Sequence, residues 1–515
     1  MPTTSTPRAH DPRKAMTVAL LLPDGVGIRN FLLGPFRAEA QGRLSLAVLS
    51  ALPDDARALY DGDGRRLEWA PYQVYRDTPR LFMLRNTLLY AHSFSIDTFG
   101  MRCLRDVARA GKGKRRIAIA AARWIGRGAA ALGGARWLDR RLAAVVEDLP
   151  ETTRYRALLA EMRPAVLFSS NQRPYGILPA VLAARSLGIP TATCIFSWDN
   201  LTSKGPIAAP FDHYLVWGDL MARELRQFYP EIPADRIHVV GAVQFDPHAD
   251  ASLLWPREDF FRRIGADPAR PLLCYSSGEP FNSPEDQDHV ELLLNLIRQG
   301  RIAGNPQVVL RPTPTADARR FAAVRRRHPE LIYSKPDWLV AEDTSWETWA
   351  QALPLEGDVA LLANLAHHAD MNISVASTMT LDFLAHNRPV VNVAFDIADP
   401  PPFDRPLWEY YYQFEHYQPV VKAGAALFSR SVDEFVEHIN MYLAKPRLHD
   451  ENRRRLLEQE LGVPMGEASP RIVETLLQIG RGQQVSSVGI PASRPSSLQA
   501  SKPSSLQAFP VSRGA

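Results

Sequence analysis

Ser377 and Thr378 stand just after the strand-like run 371–375 and Ala376, and Asp382 follows on the order of one helical turn later. A second such run begins after Arg388-Pro389, at Val390-Val391-Asn392-Val393. The pattern predicts a strand, a small hydroxyl-rich turn, a short helix and another strand. Such a turn offers phosphate the free N–H groups and the positive dipole end of the helix. The Asp382 carboxylate can then reach a sugar hydroxyl. Together these residues have the chemistry of a nucleotide site, although Ser and Thr also serve as ordinary N-caps and Asp as a solvated first-turn acid.

Elements that could hold this turn recur along the chain. Strand-like runs are expected at 16–23, 44–49, 165–170, 191–196, 213–217 and 237–240, with helical patterns between them. A second series has strands at 272–276, 307–310, 331–333 and 371–375, with helices at 285–299, 317–328 and 361–369. Helices are expected again at 432–442, 447–461 and 469–479. Two runs of strand–helix alternation predict two parallel sheets covered by helices. The fold class expected is therefore α/β, with two Rossmann-like domains facing across a cleft and C-terminal helices packing back on the body. The division is 1–15 as a disordered N-terminus, 16–250 as a first domain with a basic helical insert at 75–146, 251–480 as a second domain, and 481–515 as a disordered tail. The tail is rich in Ser, Pro and Gln and holds a tandem eight-residue repeat, 493–500 and 501–508.

Composition bounds the function. At 515 residues the chain exceeds one core, and a 46% apolar fraction is globular. The net charge of +4 gives no reason to expect nucleic acid. Its distribution is uneven: residues 102–141 hold twelve Lys/Arg and two acids, a local +10, which leaves −6 elsewhere. That stretch interleaves its cations with Ile117, Trp124, Ile125, Leu132 and Trp137, a pattern suited to an anionic membrane surface as well as to a solvated helical face. Three scattered cysteines predict no disulfide framework, and no window is apolar and long enough to span a bilayer. A cytoplasmic protein, peripheral at the inner face of the cell membrane at most, is expected.

The segment Phe211-Asp212-His213-Tyr214-Leu215-Val216-Trp217-Gly218, the later Pro233–Gly241 segment, the strand end at Leu272–Gly278 and the Ser377–Pro389 segment resemble the GT-B glycosyltransferase superfamily. The spacing of Ser377-Thr378, Asp382-Phe383 and Pro389 is similar to the CDP-glycerol glycerophosphotransferase type, and more distantly to UDP-N-acetylglucosamine epimerases. The phrase Phe196–Gly205 resembles bacterial surface-polysaccharide members. Glycerophosphotransferases carry a His-Pro after the second strand of the nucleotide domain. Thr313 occupies that place here, and a threonine does not carry protons near neutral pH.

The resemblance therefore implies a transferase moving a sugar from a nucleotide-sugar donor to a surface polysaccharide or lipid-linked glycan. A CDP-polyol phosphotransferase, a nucleotide-sugar epimerase and a catalytically silent polysaccharide-assembly protein are the alternatives. Donor contacts are expected from Ser277, Gly278, Glu279, Arg311, Ser377, Thr378 and Asp382, with Arg311 neutralising the leaving diphosphate. Asp24 is the first choice for a base that deprotonates the acceptor hydroxyl and Asp199 the second. Arg29, Asn30, Trp198, Asn200 and Lys204 are expected on the acceptor, with the tryptophan offering an apolar face to a sugar. Adjacent His367 and His368, with Asp370 nearby, point apart on a helix, so no metal is expected, and no cofactor beyond the nucleotide-sugar substrate.

Overall fold

The computed structural model describes residues 15–485 except 53, 62–66, 73–74, 108–112, 318, 341–351 and 404. The expected N-terminal segment up to residue 14, and the tail with its tandem repeat, lie outside the described residues.

The first sheet contains β1 (Met16–Leu22), β2 (Leu44–Ser50), β3 (Glu68–Pro71), β4 (Val166–Ser169), β5 (Thr191–Cys194), β6 (His213–Val216) and β7 (Ile237–Val239). Its order is β3-β2-β1-β4-β5-β6-β7 and every pairing is parallel. The second sheet contains β8 (Leu272–Ser276), β9 (Gln307–Arg311) and β10 (Ile332–Tyr333). It is completed, after a hairpin of β11 (Trp338–Val340) and β12 (Ala352–Pro354), by β13 (Met371–Ser374), β14 (Val390–Val393) and β15 (Leu427–Ser429). Its order is β10-β9-β8-β13-β14-β15, again parallel. Two Rossmann-like domains were expected and are present. Strands β3, β11, β12 and β15 were not anticipated.

β1 reads Met-Thr-Val-Ala-Leu-Leu-Leu because helices cover both faces of a parallel sheet, so neither face needs polar residues. Side chains still alternate. Ala19 and Leu21 join one core, whereas Val18, Leu20 and Leu22 join another. The second core is completed by Ile472, Val473 and Leu476 of the last helix, Ala468–Gly480. That helix therefore crosses back from the second sheet onto the first, where Glu474 pairs with Arg43 at 2.6 Å. Asp246, on the segment that joins the domains, pins its start by accepting the N–H groups of Gly466 at 2.9 Å and Ser469 at 2.6 Å.

In the stretch 75–146, helices run at Pro79–Ser95, Phe99–Val107, Gly113–Ala131 and Ala135–Glu147. Thr78 caps its first helix and Pro79 occupies the first turn, where a missing N–H costs nothing. Among the described residues no helix is long and apolar enough to cross a membrane.

Candidate active site in the interdomain cleft

Each sheet reverses its strand order once, between β1 and β4 and between β8 and β13. Ligands of open α/β sheets bind outside the carboxyl ends of strands at such a reversal. Ser277 to Glu279 follow β8, Thr313 follows β9, and Ser377 to Asp382 follow β13, so the sheet gathers residues from distant parts of the chain along one edge. Three polar atoms there are buried without a hydrogen-bond partner: Ser277 Oγ, Arg311 Nη1 and Thr313 Oγ1. Ser277 N–H is already used by the Arg311 carbonyl at 3.0 Å. Gly278 donates to Asp286 at 2.8 Å, and Arg320 holds the Gly278 carbonyl at 2.6 Å. Burial pushes the Asp286 carboxyl up to about 6, against the hydrogen bonds and the Arg320 charge that favour its ionised form. Glu279 accepts from the Thr315 hydroxyl. Ser377 Oγ accepts from the Met379 N–H at 3.2 Å, and Ser377 and Thr378 stay partly exposed at the mouth of the turn.

Arg311 is fixed by a residue that sequence reasoning did not single out. Asp358 accepts its Nη2 at 2.6 Å, with both side chains almost wholly buried. The same carboxylate accepts the Trp338 Nε1 at 2.6 Å and the Asp337 N–H at 3.0 Å. Burial raises the Asp358 pKa, but Arg311 and the hydrogen bonds outweigh it and leave the group below the usual carboxylate range. Trp338 opens the β11–β12 hairpin, which rests on the Asp24-Gly25 turn of the first domain. A Cβ on Gly25 would lie 1.8 Å from the Ala352 carbonyl oxygen, so only glycine permits this approach. Tyr60 adds a hydrogen bond to the Pro354 carbonyl at 2.8 Å.

Asp382 is not free in the cleft. His248, on the segment joining the domains, meets its Oδ1 at 2.9 Å. His248 Nδ1 is 3.0 Å from His386 Nε2, and His386 Nδ1 is 3.3 Å from His367 Nδ1. Burial, then the charge at His248, pushes His386 down to about 3, and a file of three imidazoles leads from half-buried His367 to the Asp382 carboxyl. Neither His248 nor His386 was picked out from sequence. His248 lies 134 residues from Asp382, and no local pattern marks such a pair.

On the first-domain side, Asp24 caps the helix Gly25–Ile28 by accepting the Gly27 N–H at 2.8 Å, and accepts Asn171 Nδ2 across the β1/β4 reversal at 2.8 Å. Arg29 and Asn30 begin the next turn, and Arg29 Nε donates to Asn30 Oδ1 at 3.2 Å. Burial lowers the Arg29 pKa, while the charges of Asp358 and Asp382 pull it upward and that of Arg311 lowers it further. A narrow cavity between the domains is lined by Arg29, Asn30, Gln244, His248 and Val359.

Asp199 sits in a second cross-domain cluster. Lys204 Nζ is 3.3 Å from it and Asn200 Nδ2 donates to it at 2.9 Å. Burial opposes its ionisation, but Lys204, His416 and Arg173 hold the carboxyl well below the usual range. Such a carboxylate is a weak proton acceptor. Asn200 is itself held by Gln172 Nε2 at 2.9 Å. Trp198 is buried edge-on against His416 and Tyr417 of the second domain, with centroids 5.3 and 5.6 Å away, so its ring faces protein.

His367, His368 and Asp370 turn to three separate partners: His386, the Trp255 carbonyl and the Leu272 N–H. Among the described residues no group of three His, Cys, Asp or Glu side chains is placed to hold a metal ion. A cavity of about 560 Å³ opens at the opposite edge of the first sheet beside Pro190, His213 and Gly482. It lies at the amino ends of β5 and β6, away from the edge where such sheets bind ligands.

Two parallel-sheet domains whose carboxyl edges face one cleft, with a last helix returning to the first domain, give the chain a GT-B-like fold. No family model matches the chain, and no curated protein does. Among solved structures, a Listeria monocytogenes protein assigned as a UDP-N-acetylglucosamine 2-epimerase shares 10% identity, with a TM-score of 0.50 over 93% of this chain and 100% of that one. The UDP-GlcNAc 2-epimerase of Neisseria meningitidis, bound to UDP-GlcNAc, shares 12% identity with a TM-score of 0.48 over 90% and 100% of the two chains. The wall teichoic acid polymerase TagF shares 10% identity with a TM-score of 0.40 over 62% of this chain and 72% of its own. At such identities the likeness is one of fold.

Proposed function

We propose that the chain is a glycosyltransferase that binds a nucleotide-sugar on its second domain and passes the sugar to a hydroxyl of a surface polysaccharide or lipid-linked glycan. The observation that carries this reading is the trio of buried, unpartnered atoms Ser277 Oγ, Arg311 Nη1 and Thr313 Oγ1 at the carboxyl ends of β8 and β9. Each such group costs roughly 1–3 kcal/mol unless something bonds to it. Two hydroxyls and a guanidinium suit the oxygens of a diphosphate, and Arg29 brings a second cation from across the cleft. Arg311 then offsets the charge that develops as the nucleotide leaves, with no need of a metal or other cofactor. Asp24, at the reversal of the first sheet, takes the acceptor proton. Asp199, too acidic for that task, orients acceptor hydroxyls with Lys204. Ser377, Thr378 and Gly278 complete the donor loops.

Thermal stabilisation by UDP, CDP, GDP and their sugars tests the reading. Stabilisation by at least one nucleotide, lost in Arg311→Ala, is expected. No response to any of them at millimolar concentration would sink it.

The alternative of a nucleotide-sugar epimerase draws support from the near full-length fold likeness to the Listeria monocytogenes protein assigned that name. It predicts turnover of the nucleotide-sugar without an acceptor, whereas a transferase requires one.

A further inference from the structure

The insert presents an outer surface that the cleft does not use. Of the ten large apolar side chains exposed among the described residues, five fall between positions 117 and 137: Ile117, Trp124, Ile125, Leu132 and Trp137, at 72, 73, 55, 88 and 52% exposure. Ile117, Trp124 and Ile125 are separated by seven and eight positions, so they share one face of the helix Gly113–Ala131. The opposite face is built from small residues. Ala122 is buried, and a Cβ on Gly126 would come within 2.7 Å of the Tyr90 Cβ. This helix therefore seats its small side against Pro79–Ser95 and turns its bulky side outward, the reverse of an ordinary surface helix. Arg116, Arg123 and Arg127 follow at spacings of seven and four along one flank. None of the three has a carboxylate partner among the described residues.

We propose that this face docks on an anionic membrane surface. The indole of Trp124, with Ile117 and Ile125, enters the boundary between headgroups and acyl chains, and the arginine flank meets the lipid phosphates. Charge decides between occupants. A second copy of the chain would bring another stretch of the same local +10 against the first, which opposes self-association, whereas anionic lipid neutralises it.

The same helices reach the cleft. The Thr98 hydroxyl donates to the Thr202 carbonyl at 2.6 Å, and Gly100 packs on Ser203, so the insert braces the loop that bears Asp199 and Lys204. Docking would thus bring a lipid-linked acceptor to that loop. This last step rests on the proposed function; the docking itself does not.

Co-sedimentation of the full chain with phosphatidylglycerol/phosphatidylcholine vesicles, against phosphatidylcholine alone, tests the proposal. Binding to the anionic vesicles, weakened by salt, is expected. Trp124→Ala/Ile125→Ala lowers the partition by roughly tenfold or more and Arg116→Glu/Arg123→Glu abolishes it, with melting temperature and nucleotide response unchanged because these side chains lie outside the core and the cleft. Absence of binding to the anionic vesicles, or equal binding by the variants, overturns it. So does light scattering that finds a wild-type dimer which Trp124→Ala/Ile125→Ala makes monomeric.

Discussion

Replacing Asp358 with Asn isolates the charge that holds Arg311 in place. The side chains are 1% and 6% exposed, so water does little to screen them. Breaking a buried pair by removing one partner costs roughly 3–5 kcal/mol, because the remaining charge is left uncompensated. The new amide fits the same space and can still accept from Trp338 or Asp337, so a loss of about 3 kcal/mol is expected. For a domain of this size that corresponds to a fall in melting temperature of roughly 6–12 °C. A bound diphosphate would supply the missing negative charge. Saturating UDP or CDP, whichever binds the wild type, should therefore raise the melting temperature of the variant more than that of the wild type. The pH dependence follows from the sign of the shift. The folded-state pKa of Asp358 is depressed, so its contribution is present above the unfolded carboxyl value of about 3.9 and is lost as pH falls through the folded value. The gap between wild type and variant should be full at neutral pH and close below about pH 4. Scanning fluorimetry with and without nucleotide measures both effects. A fall below about 2 °C, with the same nucleotide response in both proteins, would refute the reasoning that Arg311 is a buried charge awaiting an anion.

Gly25→Ala drives a Cβ to 1.8 Å from the Ala352 carbonyl oxygen. The hairpin should lift from the first domain, seen as a larger radius of gyration in X-ray scattering and loss of turnover; unchanged scattering would show that the contact closes nothing. His248→Ala removes the group that orients Asp382, and nucleotide affinity should fall by roughly tenfold, with partial recovery in His248→Gln. Equal affinity in calorimetry would mean that Asp382 needs no such support. Burial pushes Glu460 up to about 8, and neighbouring Glu224 lies raised at about 7. A raised carboxyl favours the folded state fully below its unfolded value of about 4.3 and loses that contribution as pH rises through the folded value. Glu460→Gln should therefore gain about 1–3 kcal/mol over wild type between pH 5 and pH 8, and urea titrations with a constant difference would contradict it.

The sequence alone determined the two parallel sheets, since runs such as Met16–Leu22 and Val390–Val393 are buried on both faces and read as mostly apolar. It also marked the loops at their carboxyl ends, because polar residues after such strands stand out. Tertiary structure decided how the marked residues are occupied. Arg311 gained Asp358, Asp382 gained His248, and Asp199 gained His416, each partner coming from far along the chain. It also carried the last helix back to the first sheet, where Ile472 and Leu476 cover Val18 and Leu20. Helix and strand follow from local period and propensity, which any short window of sequence carries. The charge and freedom of a site residue depend on what the closed cleft sets against it, and that is fixed only when both domains and the segment between them have packed.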